Sequence, residues 1–242
     1  MKPYQLFQRL GGGSGGGGGT DPYWANVVAL VQGTGADGST TIVDDTGLRT
    51  WTQHGNLQVD DSLGPNTLLS DGTGDYATTP YVKADFDWWT GDFTIEAWVQ
   101  ASAFTDWYYT DGSPVPAFVG CADPASGTNY WSFGPKNGGF VGFSYYNGSA
   151  NHLTSTLVVS TSALTHLAMS KSSGGIYLAK GGVVDSPVSV SGTPLSSTSG
   201  VSLTLGQINN RCCPGNFVLR ITKGVARYTS AYTPPTLPFP TS

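Results

Sequence analysis

Two groups of residues in this chain could do chemistry: a set of carboxylates too sparse for acid–base work, and several aromatic clusters interleaved with carboxamides and carboxylates. Glu96 is the sole glutamate. Retaining hydrolysis of a glycosidic bond needs two carboxyl groups about 5–5.5 Å apart, which a strand can supply from alternate positions. Around Glu96 those positions hold Thr94 and Trp98, and Asp92 would lie about 13 Å away along an extended chain. His54, His152 and His166 come without a nucleophile motif, and His166 sits in a strand pattern that suits a structural role. The chain therefore reads as a non-enzyme, with no catalytic residue assigned.

The aromatic clusters suit binding. A sugar offers apolar C–H faces to aromatic rings and hydroxyls to amide and carboxylate groups. Asp106, Trp107, Tyr108, Tyr109 and Asp111 carry that chemistry in one turn-rich stretch. Asn129, Tyr130 and Trp131 carry it in a second, and Tyr145, Tyr146 and Asn147 in a third. These eleven residues are the glycan-binding candidates. Core packing, hairpin packing or a subunit interface would use the same rings, and one of Trp88 and Trp89 suits a core plug.

Metal chemistry is weaker. Asp37, Asp44, Asp45, Asp71 and Asp75 lie in turn-rich stretches and offer the oxygen ligands calcium takes. Aspartate in such turns also bonds its own backbone, so no metal ligand or cofactor is assigned and calcium remains the one candidate. Cys121, Cys212 and Cys213 have neither zinc spacing nor the even count of a disulfide framework. Free thiols suit them, and pairing of Cys121 with Cys212 or Cys213 stays open.

The net charge of −5 comes without a basic cluster, which argues against nucleic-acid partners. No run approaches the roughly 18 apolar residues of a membrane span, and the first ten residues lack the apolar core of an export signal. The expectation is a protein made in the cytoplasm and not exported by an ordinary signal peptide.

The elements that must position these residues read as strands. Gly91–Gln100 alternates Phe93, Ile95, Ala97 and Val99 with Thr94, Glu96, Trp98 and Gln100, the period-two pattern of a strand with one apolar face. Phe217–Thr222 alternates similarly. If the two share a core, Phe93, Ile95 and Val99 each contribute about 1.5–3 kcal/mol. Val27–Val31, Thr40–Val43, short stretches of 48–59, Tyr130–Phe133, Phe140–Tyr146, Leu153–Val159, His166–Lys171, Gly175–Ala179 and Leu203–Leu205 continue the series. Lys180–Gly182 is a tight turn before Val183–Val184, and a single helical turn is expected near Gly224–Tyr228. Many short strands between turn signals predict an all-β sandwich.

The order of LLSDGTGDYATTP, GDFTIEAWV, HLAMSK with GGIYLAKGG, SLTLG and RITKGVARYTSAYTPPTLPFP resembles the laminin-G-like, concanavalin A-like lectin/glucanase family. The last segment is similar to one seen in laminin-G-like modules of bacteriophage virion proteins. The resemblance runs from about Asp21 to Pro240. It implies a jelly-roll sandwich of two antiparallel sheets that binds carbohydrate or protein at a rim or on a sheet face.

Ahead of that domain, taken as 20–242, stand a peptide at 1–10 with Tyr4, Leu6, Phe7 and Leu10 and a Gly-rich linker at 11–19. Ten residues are too few for a stable isolated helix, so the peptide reads as an anchor that docks on another protein through those four side chains. The resulting expectation is a phage virion structural protein (a capsid decoration, tail fibre or spike subunit) that docks by its N-terminal peptide on capsid or tail. It would display the carbohydrate-binding domain to cell-surface or environmental glycans for host attachment, as a trimer by analogy. A purely architectural virion protein without sugar binding is the alternative, and a carbohydrate-active enzyme is disfavoured.

Overall fold

The computed structural model describes residues 20–86, 89, 91–104, 118–121, 131–173, 175–190, 200–208 and 211–242. The strands, in chain order, begin with β1 (Val27–Val31), β2 (Thr52–His54), β3 (Gln58–Asp60), β4 (Thr67–Ser70) and β5 (Tyr76–Pro80). A single helical turn, α1 (Lys83–Phe86), precedes β6 (Phe93–Ala101). Then come β7 (Val119–Cys121), β8 (Trp131–Pro135), β9 (Phe140–Tyr146), β10 (Ala150–Val158), β11 (Thr165–Ser172), β12 (Gly175–Lys180) and β13 (Val183–Val184). β14 (Ser202–Leu205), β15 (Gln207–Ile208), β16 (Arg211–Cys212) and β17 (Gly215–Lys223) close the chain.

These strands form two large antiparallel sheets and a separate two-stranded ribbon, β15-β16. The first runs β13-β12-β11-β6-β17-β4-β3, with β1 also paired to β17, and the second runs β10-β9-β8-β7-β14-β5-β2. β6 and β17 lie side by side at the centre of the first sheet, with Ala97 opposite Leu219 and Glu96 opposite Arg220. Phe93, Ile95, Ala97 and Val99 all enter the main core, as the alternation requires. They meet Phe133, Phe143, Val119 and Leu203 of the second sheet there. This is the jelly-roll-like sandwich expected of the sequence.

Two local expectations fail. Thr40–Val43 is not a strand; Ile42 is buried in the core, while Asp45 N–H bonds Leu30 O at 2.8 Å, making this a packed loop. The helical turn lies at Lys83–Phe86, where Asp85 and Phe86 N–H both bond Val82 O. Gly224–Tyr228 is irregular instead, because its backbone polar groups go to side chains of the first sheet. Val225 O accepts from Thr94 Oγ1 at 3.0 Å, and Arg227 N–H donates to the same hydroxyl at 2.9 Å.

Candidate functional site

The outer face of the second sheet is built from the residues that alternate with its core rings. Residues opposite each other on antiparallel strands share a face, so the register defines one continuous transverse row. It reads His152, Ser144, Ser132, Gly120, Thr204, Thr78 and Thr52 across all seven strands. Every member is small or neutral and polar. No Asp, Glu, Lys or Arg occurs in any strand of this sheet.

The row is internally bonded at both ends and covered in its middle, where Ser144, Ser132 and Gly120 are buried. Ser144 Oγ and His152 Nδ1 lie 2.9 Å apart, and His54, one position beyond on β2, puts Nε2 3.1 Å from Thr78 Oγ1. His54 also stacks on Tyr76 at 4.2 Å. In the centre, Ser132 Oγ is buried and has no hydrogen-bond partner among the described residues. Gly120 is the low point: a Cβ there would stand 2.3 Å from Trp131 O and 2.7 Å from Ile208 Cδ1. Lys136, just past β8, crosses Gly142 and donates from Nζ to Thr154 Oγ1 at 2.7 Å. Burial lowers its pKa.

Register also locates the rim. Cys121 opposes Trp131, and Trp131 opposes Tyr145. The connection leaving Cys121 and the turn between Tyr146 and Ala150 therefore start from the same end of the sheet. Ser202, the first residue of β14, opposes Pro80 at that end too. Val119, where the stretch 105–117 feeds into the sheet, is the other end of β7.

Of the glycan-binding candidates, Asp106, Trp107, Tyr108, Tyr109, Asp111, Asn129 and Tyr130 lie outside the described residues, as do the docking candidates Tyr4, Leu6, Phe7 and Leu10. Trp131 and Tyr145 require correction. Both have inward parity and are buried in the main core, where the Tyr145 ring packs 5.7 Å from Trp89, so neither offers a ring face to a sugar. Tyr146 has outward parity and is partly exposed. Asn147 is partly exposed as well, and its Oδ1 closes the hairpin turn by accepting from Asn151 Nδ2 at 2.9 Å.

The turn aspartates are engaged by their own loops. Asp75 accepts from Asn56 N–H and Asp71 N–H at 2.8 Å each, and Asp71 from Thr73 N–H at 2.7 Å. Asp44 accepts from Thr46 N–H at 2.9 Å and from Trp51 Nε1 at 3.3 Å. Among the described residues no three His, Cys, Asp or Glu side chains converge as a metal site would require.

The outer face of the first sheet holds what sequence reasoning missed. Glu96, fully buried, accepts from Arg220 Nε at 2.8 Å and Tyr228 OH at 2.6 Å, and lies 3.0 Å from His166 Nε2. His166 Nδ1 is 2.8 Å from Tyr232 OH. Asp21 accepts from Arg220 Nη1 at 3.0 Å and from Arg227 Nη2 at 2.8 Å. Burial alone would raise the Glu96 carboxyl, but the Arg220 guanidinium and His166 outweigh it and hold it far below the usual carboxylate range. Burial and then the Glu96 charge push the Tyr228 phenol up. Glu96 is thus a structural anchor for the terminal segments and has no second carboxylate beside it on the strand. The hint in the sequence is the Arg and two Tyr of RITKGVARYTSAY downstream of a lone Glu.

A sequence model of the concanavalin A-like lectin/glucanases superfamily matches residues 71–218. A search of curated proteins gives no match. Among solved structures, the chain is similar to domain 4 of AbnA, a GH43 extracellular arabinanase from Geobacillus stearothermophilus, in complex with arabinotriose. The TM-score is 0.60 at 17% identity, covering 84% of this chain and 95% of that one. It is also similar to the binding domain of Paraclostridial Mosquitocidal Protein 1, with a TM-score of 0.55 at 14% identity over 87% of this chain and 50% of that one. A third is a structure of botulinum neurotoxin type C, whose cell entry depends on two ganglioside molecules, with a TM-score of 0.54 at 14% identity over 84% of this chain and 49% of that one. The chain spans about half the length of the two toxin chains, and at these identities the likeness is one of fold.

Proposed function

The chain belongs to the concanavalin A-like lectin/glucanases superfamily, and from that premise we propose that it is a phage virion structural protein displaying a carbohydrate-binding domain. The observation that carries the binding half is the second sheet's outer face: a row of hydroxyls and imidazoles in seven strands that hold no carboxylate. Such a face can meet sugar hydroxyls with donors and acceptors but lacks the acid pair that hydrolysis needs. Binding without catalysis is the reading it supports. Relatives by fold whose structures involve arabinotriose and gangliosides favour the same ligand class.

The virion half rests on the resemblance of the closing segment to phage laminin-G-like modules and on the apolar peptide 1–10 behind its glycine linker. In this reading the peptide docks on capsid or tail and the domain faces outward to adhere to host or surface glycans. The architectural alternative is favoured by one observation: two of the aromatic candidates, Trp131 and Tyr145, are spent on the core.

A glycan-array screen of the full chain at avidity-enhancing density, with Trp107→Ala and His152→Ala variants, separates the two. Binding by the wild type that either substitution abolishes supports the lectin reading and locates its site. A folded chain that captures no glycan shifts the assignment to the architectural role.

A further inference from the structure

A groove of about 600 Å³ opens on the opposite side of the molecule from the polar row, over the outer face of the first sheet. Trp98, Leu164, Leu237 and the rings of Pro234, Pro235 and Pro238 line it, with Gly64 and Pro65 at one side. Proline has no backbone N–H, so the wall built from 234–238 is apolar and poor in donors. Trp98 is the exception: its Nε1 is buried and has no hydrogen-bond partner among the described residues. A buried indole N–H normally finds an acceptor, and among the described residues none is supplied.

We propose that the groove is the intramolecular docking site of the chain's own N-terminal peptide, Met1–Leu10. Three observations choose this occupant. First, the described chain enters the fold beside the groove. Trp24 packs on the same small cluster as Trp98 and Leu237, and Asp21 N–H bonds Ser242 O at 2.6 Å. Secondly, the leash is short: nine glycine-rich residues at 11–19 span about 15–18 Å on average, which sets an effective concentration of order millimolar. An affinity too weak to matter between separate molecules then suffices within one. Thirdly, the charges match. Lys2 and Arg9 belong to the peptide while every acidic residue lies beyond position 19, and Asp61 stands in the loop that leads from β3 to Gly64–Pro65.

Docking would bury Leu6, Phe7 and Leu10 against Trp98 and the proline wall until a partner competes for them. The inference rests on the reading of Met1–Leu10 as a docking segment and not on the identity of its partner.

The test is full-length protein with the photoreactive residue p-benzoylphenylalanine at position 7, irradiated at micromolar concentration and mapped by mass spectrometry. The expected result is an adduct within one chain on Trp98, Leu164 or residues 234–238. Its yield should fall about tenfold with Leu6→Asp and Leu10→Asp together and, from the groove side, with Leu164→Arg. Adducts between two copies, adducts scattered over the surface, or a yield indifferent to these variants would overturn the proposal. Deleting residues 1–10 and assaying attachment to particles tests the docking-segment reading separately. A chain that attaches yet gives no groove adduct overturns only the present inference.

Discussion

The two sheets present outer faces of opposite character, although their inner faces are alike. The first sheet puts Glu96, His166 and Arg220 outward and covers them completely with the residues before β1 and after β17. The second puts Ser, Thr, His and Gly outward, and its strands contain no charge at all. A charge can be buried only where a counter-charge and hydrogen bonds meet it; the terminal segments supply these on the first face through Asp21, Arg227, Tyr228 and Tyr232. Neutral hydroxyls and imidazoles cost far less to leave part-solvated. One face is therefore committed to holding the fold, while on the other His152, Thr204, Thr78 and Thr52 keep surface that a ligand can reach.

The sharpest way to break this contrast is Glu96→Ala, which leaves buried Arg220 with Asp21 as its remaining carboxylate partner. The expected loss is about 3–5 kcal/mol, read as a shift in the urea midpoint without a change in slope. A loss below that of an ordinary surface substitution contradicts the anchoring role.

Acid titration probes the same network. The Glu96 carboxyl is held below its ordinary value of 4.5, so its contribution is complete above about pH 4.5. It is withdrawn as pH falls toward the lower folded-state value. Glu96→Gln should flatten that acid limb of the stability–pH curve; parallel curves for wild type and variant would refute the assignment.

Tyr228→Phe removes one hydrogen bond to a charged acceptor at 2.6 Å and should cost about 1.5–3 kcal/mol. On the second sheet, Gly120→Ala sets a Cβ 2.3 Å from a backbone oxygen, an overpacking worth about 1–3 kcal/mol. Thermal unfolding measures both.

The smallest stability effect is the most informative. Ser144→Ala deletes a hydrogen-bonded pair with His152 and should change stability by about 0.5–1.5 kcal/mol while weakening glycan capture. If stability collapses and glycan capture does not change, the division of labour between the two faces is wrong.

Strand content and facing were legible in the chain because side chains alternate on a strand and burial selects one set. Phe93, Ile95 and Val99 announced a core face before any partner was known, and Phe217–Thr222 announced its neighbour. The same alternation, pursued through WSFG, VGFSYY and NHLT, encodes the outward Ser132, Ser144 and His152. Aromatic clustering obscured it: Trp131 and Tyr145 resemble binding residues locally, and only parity in the sheet turns them inward.

Composition and periodicity by themselves determined that this is an all-β chain with a lone glutamate and no carboxylate at the alternate positions beside it on its strand. Tertiary structure alone decided what that glutamate does. Glu96 lies 124 residues from Arg220 and 70 from His166 along the chain, so no local pattern could declare their union. It exists because β6 pairs with both β11 and β17, which places three distant side chains on one face. The segment after β17 finds its hydrogen bonds there, not in a helix of its own, because the hydroxyls of Thr94 and Ser170 already lie in place to bond its backbone.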